Sequence, residues 1–141
     1  MSRFLLLLLV CLCAYYYVYF IDAPERWVSP GTATLSNEGL HLSVSNVTDK
    51  VITLPKLGIA WEIATQQNHM ILFEDRPREI APHTTFTELQ PFSALGRHVR
   101  KISESKKHHL ILDIRVDGKR KRGFTKFSRM QIPFHDENAA K

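Results

Sequence analysis

Residues 57–63 read Leu57-Gly58-Ile59-Ala60-Trp61-Glu62-Ile63, and residues 110–116 read Leu110-Ile111-Leu112-Asp113-Ile114-Arg115-Val116. In the first, Leu57, Ile59, Trp61 and Ile63 fall on one side of a period-two pattern, with Gly58, Ala60, Glu62 and Ala64 on the other. In the second, Leu110, Leu112, Ile114 and Val116 oppose Ile111, Asp113, Arg115 and Asp117. Strict alternation is the mark of a strand with one face in a core, because successive side chains point to opposite faces of a sheet. Leu40, Leu42 and Val44 repeat the pattern against His41, Ser43 and Ser45, and Met130, Ile132 and Phe134 close the series. Shorter candidates lie at 32–35, 51–54, 70–73 and 84–89. Each is bounded by turn chemistry, such as Ser36-Asn37-Glu38-Gly39, Arg76-Pro77-Arg78 or Asp117-Gly118. Phe92, Leu95, Val99 and Ile102 follow helical spacing interrupted by Gly96, which predicts at most a short helix or turn. About seven or eight short strands over roughly 100 residues predict an all-β fold, an immunoglobulin-like antiparallel β-sandwich over 32–134. Trp61 is expected at its centre.

The chain has 141 residues, 44% of them apolar and 23% charged. That suits one packed domain and excludes low-complexity disorder. Both cysteines, Cys11 and Cys13, lie near the N-terminus, so a disulfide-stapled module is excluded as well. Asn46-Val47-Thr48 matches a glycosylation triplet but is read as a turn following a strand.

Residues 4–21, FLLLLLVCLCAYYYVYFI, contain no charge and no helix breaker. Eighteen residues at ~1.5 Å each approach the thickness of a bilayer's hydrocarbon core, and Asp22, Pro24 and Glu25 end the run. Tyr15, Tyr16, Tyr17, Tyr19 and Phe20, with Trp27 beyond, resemble an aromatic belt at a membrane interface. A cleaved signal would need a small-residue cleavage site after a shorter apolar core, and Ala14-Tyr15-Tyr16 offers none. The segment therefore predicts one transmembrane signal-anchor helix after a tail of residues 1–3. A linker at 22–31 and a disordered tail at 135–141 would flank the domain. Arg3 before the helix, and Asp22 and Glu25 diluting Arg26 after it, place the domain outside, in the periplasm, on a single-pass inner-membrane protein.

Residues 40–63, a strand, an Asn-x-Thr turn and then ITLPKLGIAWEI, resemble the opening of membrane-anchored immunoglobulin- or fibronectin-like domains, including the late-embryogenesis-abundant type 2 group. Residues 110–134 are similar to that group's closing hairpin, where a strand ends in Asp-Gly and a basic turn. Ile80-Ala81-Pro82-His83 is similar to the turn before its middle strand. The resemblance implies the sandwich fold and a non-enzymatic role, with lipid or protein contacts.

Charge is unevenly spread. Residues 22–96 hold five Lys/Arg against nine Asp/Glu, whereas residues 97–129 hold twelve against three. Such asymmetry speaks of partners rather than fold. The densest stretch, Lys119-Arg120-Lys121-Arg122 between Gly118 and Gly123, reads as a hairpin tip. With Lys106, Lys107 and Lys126 it makes a candidate surface for an anionic or protein partner. No catalytic residue, metal site or cofactor is expected: there is no phosphate loop, nucleophile elbow, CxxC or HExxH, and His108-His109 on a strand would face opposite ways. The functional expectation is an accessory or assembly subunit of a membrane complex, with membrane lipids and other membrane-protein subunits as partners. The alternative is an envelope module binding anionic lipid or glycan through the basic hairpin. Nucleic acid is not an expected partner.

Overall fold

The structure, a computed structural model, describes residues 2–18, 23–74, 76–121 and 128–137. Two sheets face each other across one core. The first has the order β10-β1-β2-β6, from β1 (Val28–Leu35), β2 (Gly39–Asn46), β6 (Thr85–Pro91) and β10 (Phe134–Asp136). The second runs β4-β3-β7, from β3 (Ile52–Ile63), β4 (Gln66–Phe73) and β7 (Lys107–Val116). Beside β4, the short β5 (Arg78–Ile80) pairs with the start of β3, and β8 (Lys119–Arg120) and β9 (Ser128–Gln131) pair with β7. Among the described residues all pairings are antiparallel except one: β1 and β10 run parallel, with Ala33 opposite Phe134. The expectation of a wholly antiparallel sandwich is corrected on that point.

The alternating residues do face inward. Ala33, Leu35, Leu40, Leu42 and Val44 from the first sheet meet Leu57, Ile59, Trp61, Leu110, Leu112 and Ile114 from the second, all of them buried. Burial of such side chains is the main favourable term in folding, at roughly 1.5–3 kcal/mol each. Residues 92–104 form two short helices, α2 (Phe92–Leu95) and α3 (His98–Glu104), whose Leu95 and Ile102 cap one end of the core. They are divided at Gly96, where a φ of +56° in the left-handed region stops the first helix. β1 begins at Val28, so 28–31, read from sequence as linker, are its first half. Gly31 lies where the β1–β2 register shifts, and a side chain there would collide with Ser43.

The N-terminal segment departs most from expectation. The helix α1 spans Arg3–Tyr16, 14 residues, and is capped by Ser2 Oγ accepting from the Leu5 N–H. At ~1.5 Å per residue this is about 21 Å, against about 30 Å of hydrocarbon core. No helix among the described residues is long and apolar enough to cross a membrane. The predicted transmembrane helix over 4–21 is corrected accordingly. With it go the single-pass signal-anchor, the inner-membrane location and the periplasmic domain. Consecutive aromatic rings at 15–17 are poor helix formers and sit where the regular helix ends. Tyr19 and Phe20 lie outside the described residues. None of the α1 side chains is buried.

The turn after β2 is organised by Asn46, which is 2% exposed. Its Nδ2 donates to the carbonyls of Lys50, Ile80 and Ala81 at 2.7, 3.1 and 3.2 Å. Its Oδ1 accepts from the N–H and Oγ1 of Thr48. The amide nitrogen that a glycan would need is thus buried and committed within the fold.

Candidate functional site

The site grows from one turn. β7 and β8 are joined by Asp117 and Gly118, with φ of 54° and 79°. Positive φ at both central positions is the two-residue turn that matches strand twist, and Asp-Gly suits it. The turn therefore lies one step before the basic run. Lys119 and Arg120 become the strand β8, paired with Val116 and Arg115, and only then comes Lys121.

Each cation has a different setting. Arg120 lies 3.9 Å from Asp113. Lys121 is buried at 7% exposure, and its Nζ stands 5.2 Å from the ring centroid of Trp27. Arg26, which ends a single 3-10 turn at Pro24–Arg26, brings its guanidinium 5.9 Å from the same ring. A cation near an indole ring is held by the ring's quadrupole, more strongly where water is excluded. Trp27, expected in a membrane belt, is instead packed half-buried against the domain's core. Lys50, from the turn after β2, donates to Asp117 Oδ2 at 2.8 Å. Hydrogen bonding and charge from Lys50, with Lys121 and Lys119 adding their charges, hold the Asp117 carboxyl below its ordinary range.

These side chains enclose a cleft of about 440 Å³, lined by Tyr16, Arg26, Trp27, Lys50, Val116, Asp117, Lys119 and Lys121. Its described lining holds Arg26, Lys50, Lys119 and Lys121 with Asp117. Tyr16 contributes the end of α1 as one wall. Tyr15 and Tyr17 are exposed.

Lys106 and Lys107 lie elsewhere. They stand at the opposite end of β7, roughly 30 Å away along the strand. There they line an open pocket of about 640 Å³ with Glu62, Glu104 and Gln131, two acids against two bases. The structure therefore places the described part of the predicted basic surface at two opposite ends of β7. Arg122 and Lys126 lie outside the described residues. Arg26 and Lys50 were not singled out from sequence, since Lys50 meets the hairpin across 67 positions and no local pattern announces it.

His108 and His109 do face opposite ways. His108 points inward, stacks on Phe134 at 4.0 Å and donates from Nε2 to the Ile102 carbonyl at 2.7 Å. Among the described residues, no group of three or more His, Cys, Asp or Glu is placed to hold a metal ion. Burial, outweighing the Ile102 hydrogen bond, holds the His108 pKa below its ordinary 6.5. The folded state then binds fewer protons than the unfolded one just below that value. Stability is fully present above about pH 6.5 and lost progressively as pH falls toward the folded-state pKa. A thermal melt series over about pH 5 to 7.5 should show this decline, and His108→Gln should flatten part of it. An unchanged slope in that variant would refute the assignment. His109 keeps a share of the slope, because burial, followed by the charges of Arg129 and Lys107, also lowers its pKa.

No protein-family model and no curated protein matches the chain.

Proposed function

We propose that this chain is a non-enzymatic assembly module that docks a partner protein by strand addition at β4. The observation that carries this reading is the composition of that edge. Among the described residues, Gln66-Gln67-Asn68-His69-Met70-Ile71-Leu72-Phe73 pairs only with β3, and it holds neither a Lys, Arg, Asp or Glu nor a proline. A strand edge presents backbone donors and acceptors to any extended chain, and natural edges are ordinarily blunted by charge, proline or brevity. The other edges follow that rule: β6 carries Glu88 and ends at Pro91, β8 is Lys119-Arg120, β9 carries Arg129, and β10 is three residues long. β4 is long and carries no charge of its own; its pairing with β3 is regular over 66–71 and shifts register before Phe73. Met70 and Leu72 lie on it half-buried against the core, so an added strand would complete their burial. The partner is an extended, uncharged segment of another protein, held by main-chain hydrogen bonds with selectivity from alternate side chains. The resemblance to immunoglobulin- or fibronectin-like domains supports a non-enzymatic role.

The test compares the native particle size of the full chain with that of a Gln66→Lys/His69→Lys variant, both extracted from cells in mild detergent. Both positions are exposed, so the melting temperature should be unchanged. The wild type is expected in a larger assembly, and the variant at the size of the chain alone. A wild type at its own mass, or a variant still in the assembly, would overturn the reading.

A further inference from the structure

We infer, resting on the strand-edge reading, that a partner strand docked at β4 is released by acid, through protonation of His69 on the outer face of the second sheet.

β4 carries no fixed charge, and His69 is the one side chain in it that gains a charge in mild acid. Histidine changes charge between about pH 5 and 8. A charged side chain is the means by which edge strands ordinarily resist pairing. Acid therefore gives β4 the feature that its sequence lacks at neutral pH. His69 is exposed, lies in the middle of the strand and stands directly opposite Ala60 of β3.

Its surroundings set the sign. Across Ala60 stands His109 of β7, in the same row and on the same face, about 10 Å away at two strand spacings. One row along, Glu62 of β3 lies between Gln67 and Lys107. From β9, Arg129 reaches across the face and donates from Nη1 to Gln67 Oε1 at 3.0 Å. Within one row of His69, the described residues place one carboxylate against Lys107, Arg129 and a second histidine. Burial, then the charges of Arg129 and Lys107, holds the His109 pKa down, with Glu62 opposing them. An added uncharged strand would cover the free flank of His69 and bring no counter-charge, so it favours the neutral imidazole. By linkage, protonation weakens docking by the same factor.

The test follows the native particle size of the full chain, extracted from cells in mild detergent at about pH 7.5, shifted to about pH 5.5 and returned. The assembled share of the wild type should fall by about fivefold or more in acid and recover on neutralisation. In His69→Gln that dependence on pH should vanish. His109→Gln leaves β4 untouched and should keep the dependence. Its midpoint should move to higher pH, since one fewer positive charge opposes His69. An assembly that persists in acid, an equal loss in His69→Gln, or an unmoved midpoint in His109→Gln would each overturn the inference and leave the strand edge standing. A wild type at its own mass at neutral pH would overturn both.

Discussion

Replacing Trp61 by alanine is expected to destabilise the domain by about 3–5 kcal/mol, a large share of the roughly 5–15 kcal/mol that holds a domain folded. Trp61 is 1% exposed and sits on β3 opposite His108, with Ile59 beside it on the inward face and His98 edge-on to its ring at 5.6 Å. Both sheets and α3 close around it, so little can collapse into the space that its removal leaves. Urea unfolding of the full chain measures the loss, and Trp27, the one remaining tryptophan, supplies the fluorescence signal. Trp61→Phe should cost much less. The indole Nε1 is buried without a hydrogen-bond partner among the described residues, so phenylalanine keeps most of the packing and removes an unsatisfied donor. A loss below about 1 kcal/mol for Trp61→Ala would mean that the core is not centred there.

Asn46→Ala should cost about 2–4 kcal/mol, because it strips partners from buried carbonyls and from Thr48 at once. Asn46→Asp is the sharper experiment. The shape is kept, but an acceptor oxygen replaces the amide that donates to Lys50, Ile80 and Ala81. Oxygen would then face oxygen in a buried turn. At neutral pH the aspartate variant should be less stable than the alanine variant. As pH falls and the carboxyl protonates, it should recover, since the buried acid's pKa is raised and its folded form gains a proton. Equal stability of the two variants from neutral to acid pH would remove Asn46 from its organising role.

These two residues also show how legibility varied along the chain. Trp61 was readable because alternation is a local pattern: the side chains at 57, 59 and 61 share a face whatever the rest of the chain does. The two-sheet architecture followed from such local patterns and from turn residues between them. Asn46 could be placed in a turn, but its grip on residues 80 and 81 depends on a strand pairing that no neighbouring residue encodes. The same limit applies to the cleft. The basic run at 119–122 stood out as charge, while Lys50 and Arg26 were single cations among acids, and only the fold brings them to the hairpin. Apolar content misled over 4–21. It measures affinity for an apolar environment, whereas helix length depends also on backbone preference, which weakens over Tyr15-Tyr16-Tyr17. An apolar helix with no buried face still needs cover that the described residues do not give it.

The parallel pairing of β1 with β10 sets a timetable for biosynthesis. β10 leaves the ribosome about a hundred residues after the strand it must join, and β7 and β9, on which the second sheet depends, also emerge late. Until then the nascent first sheet has β1 as a naked margin, and apolar residues made early wait for partners made late. Long-range pairing of this kind slows folding and prolongs exposure to misassociation. A nascent chain stalled before residue 134 would lack the strand that shields β1.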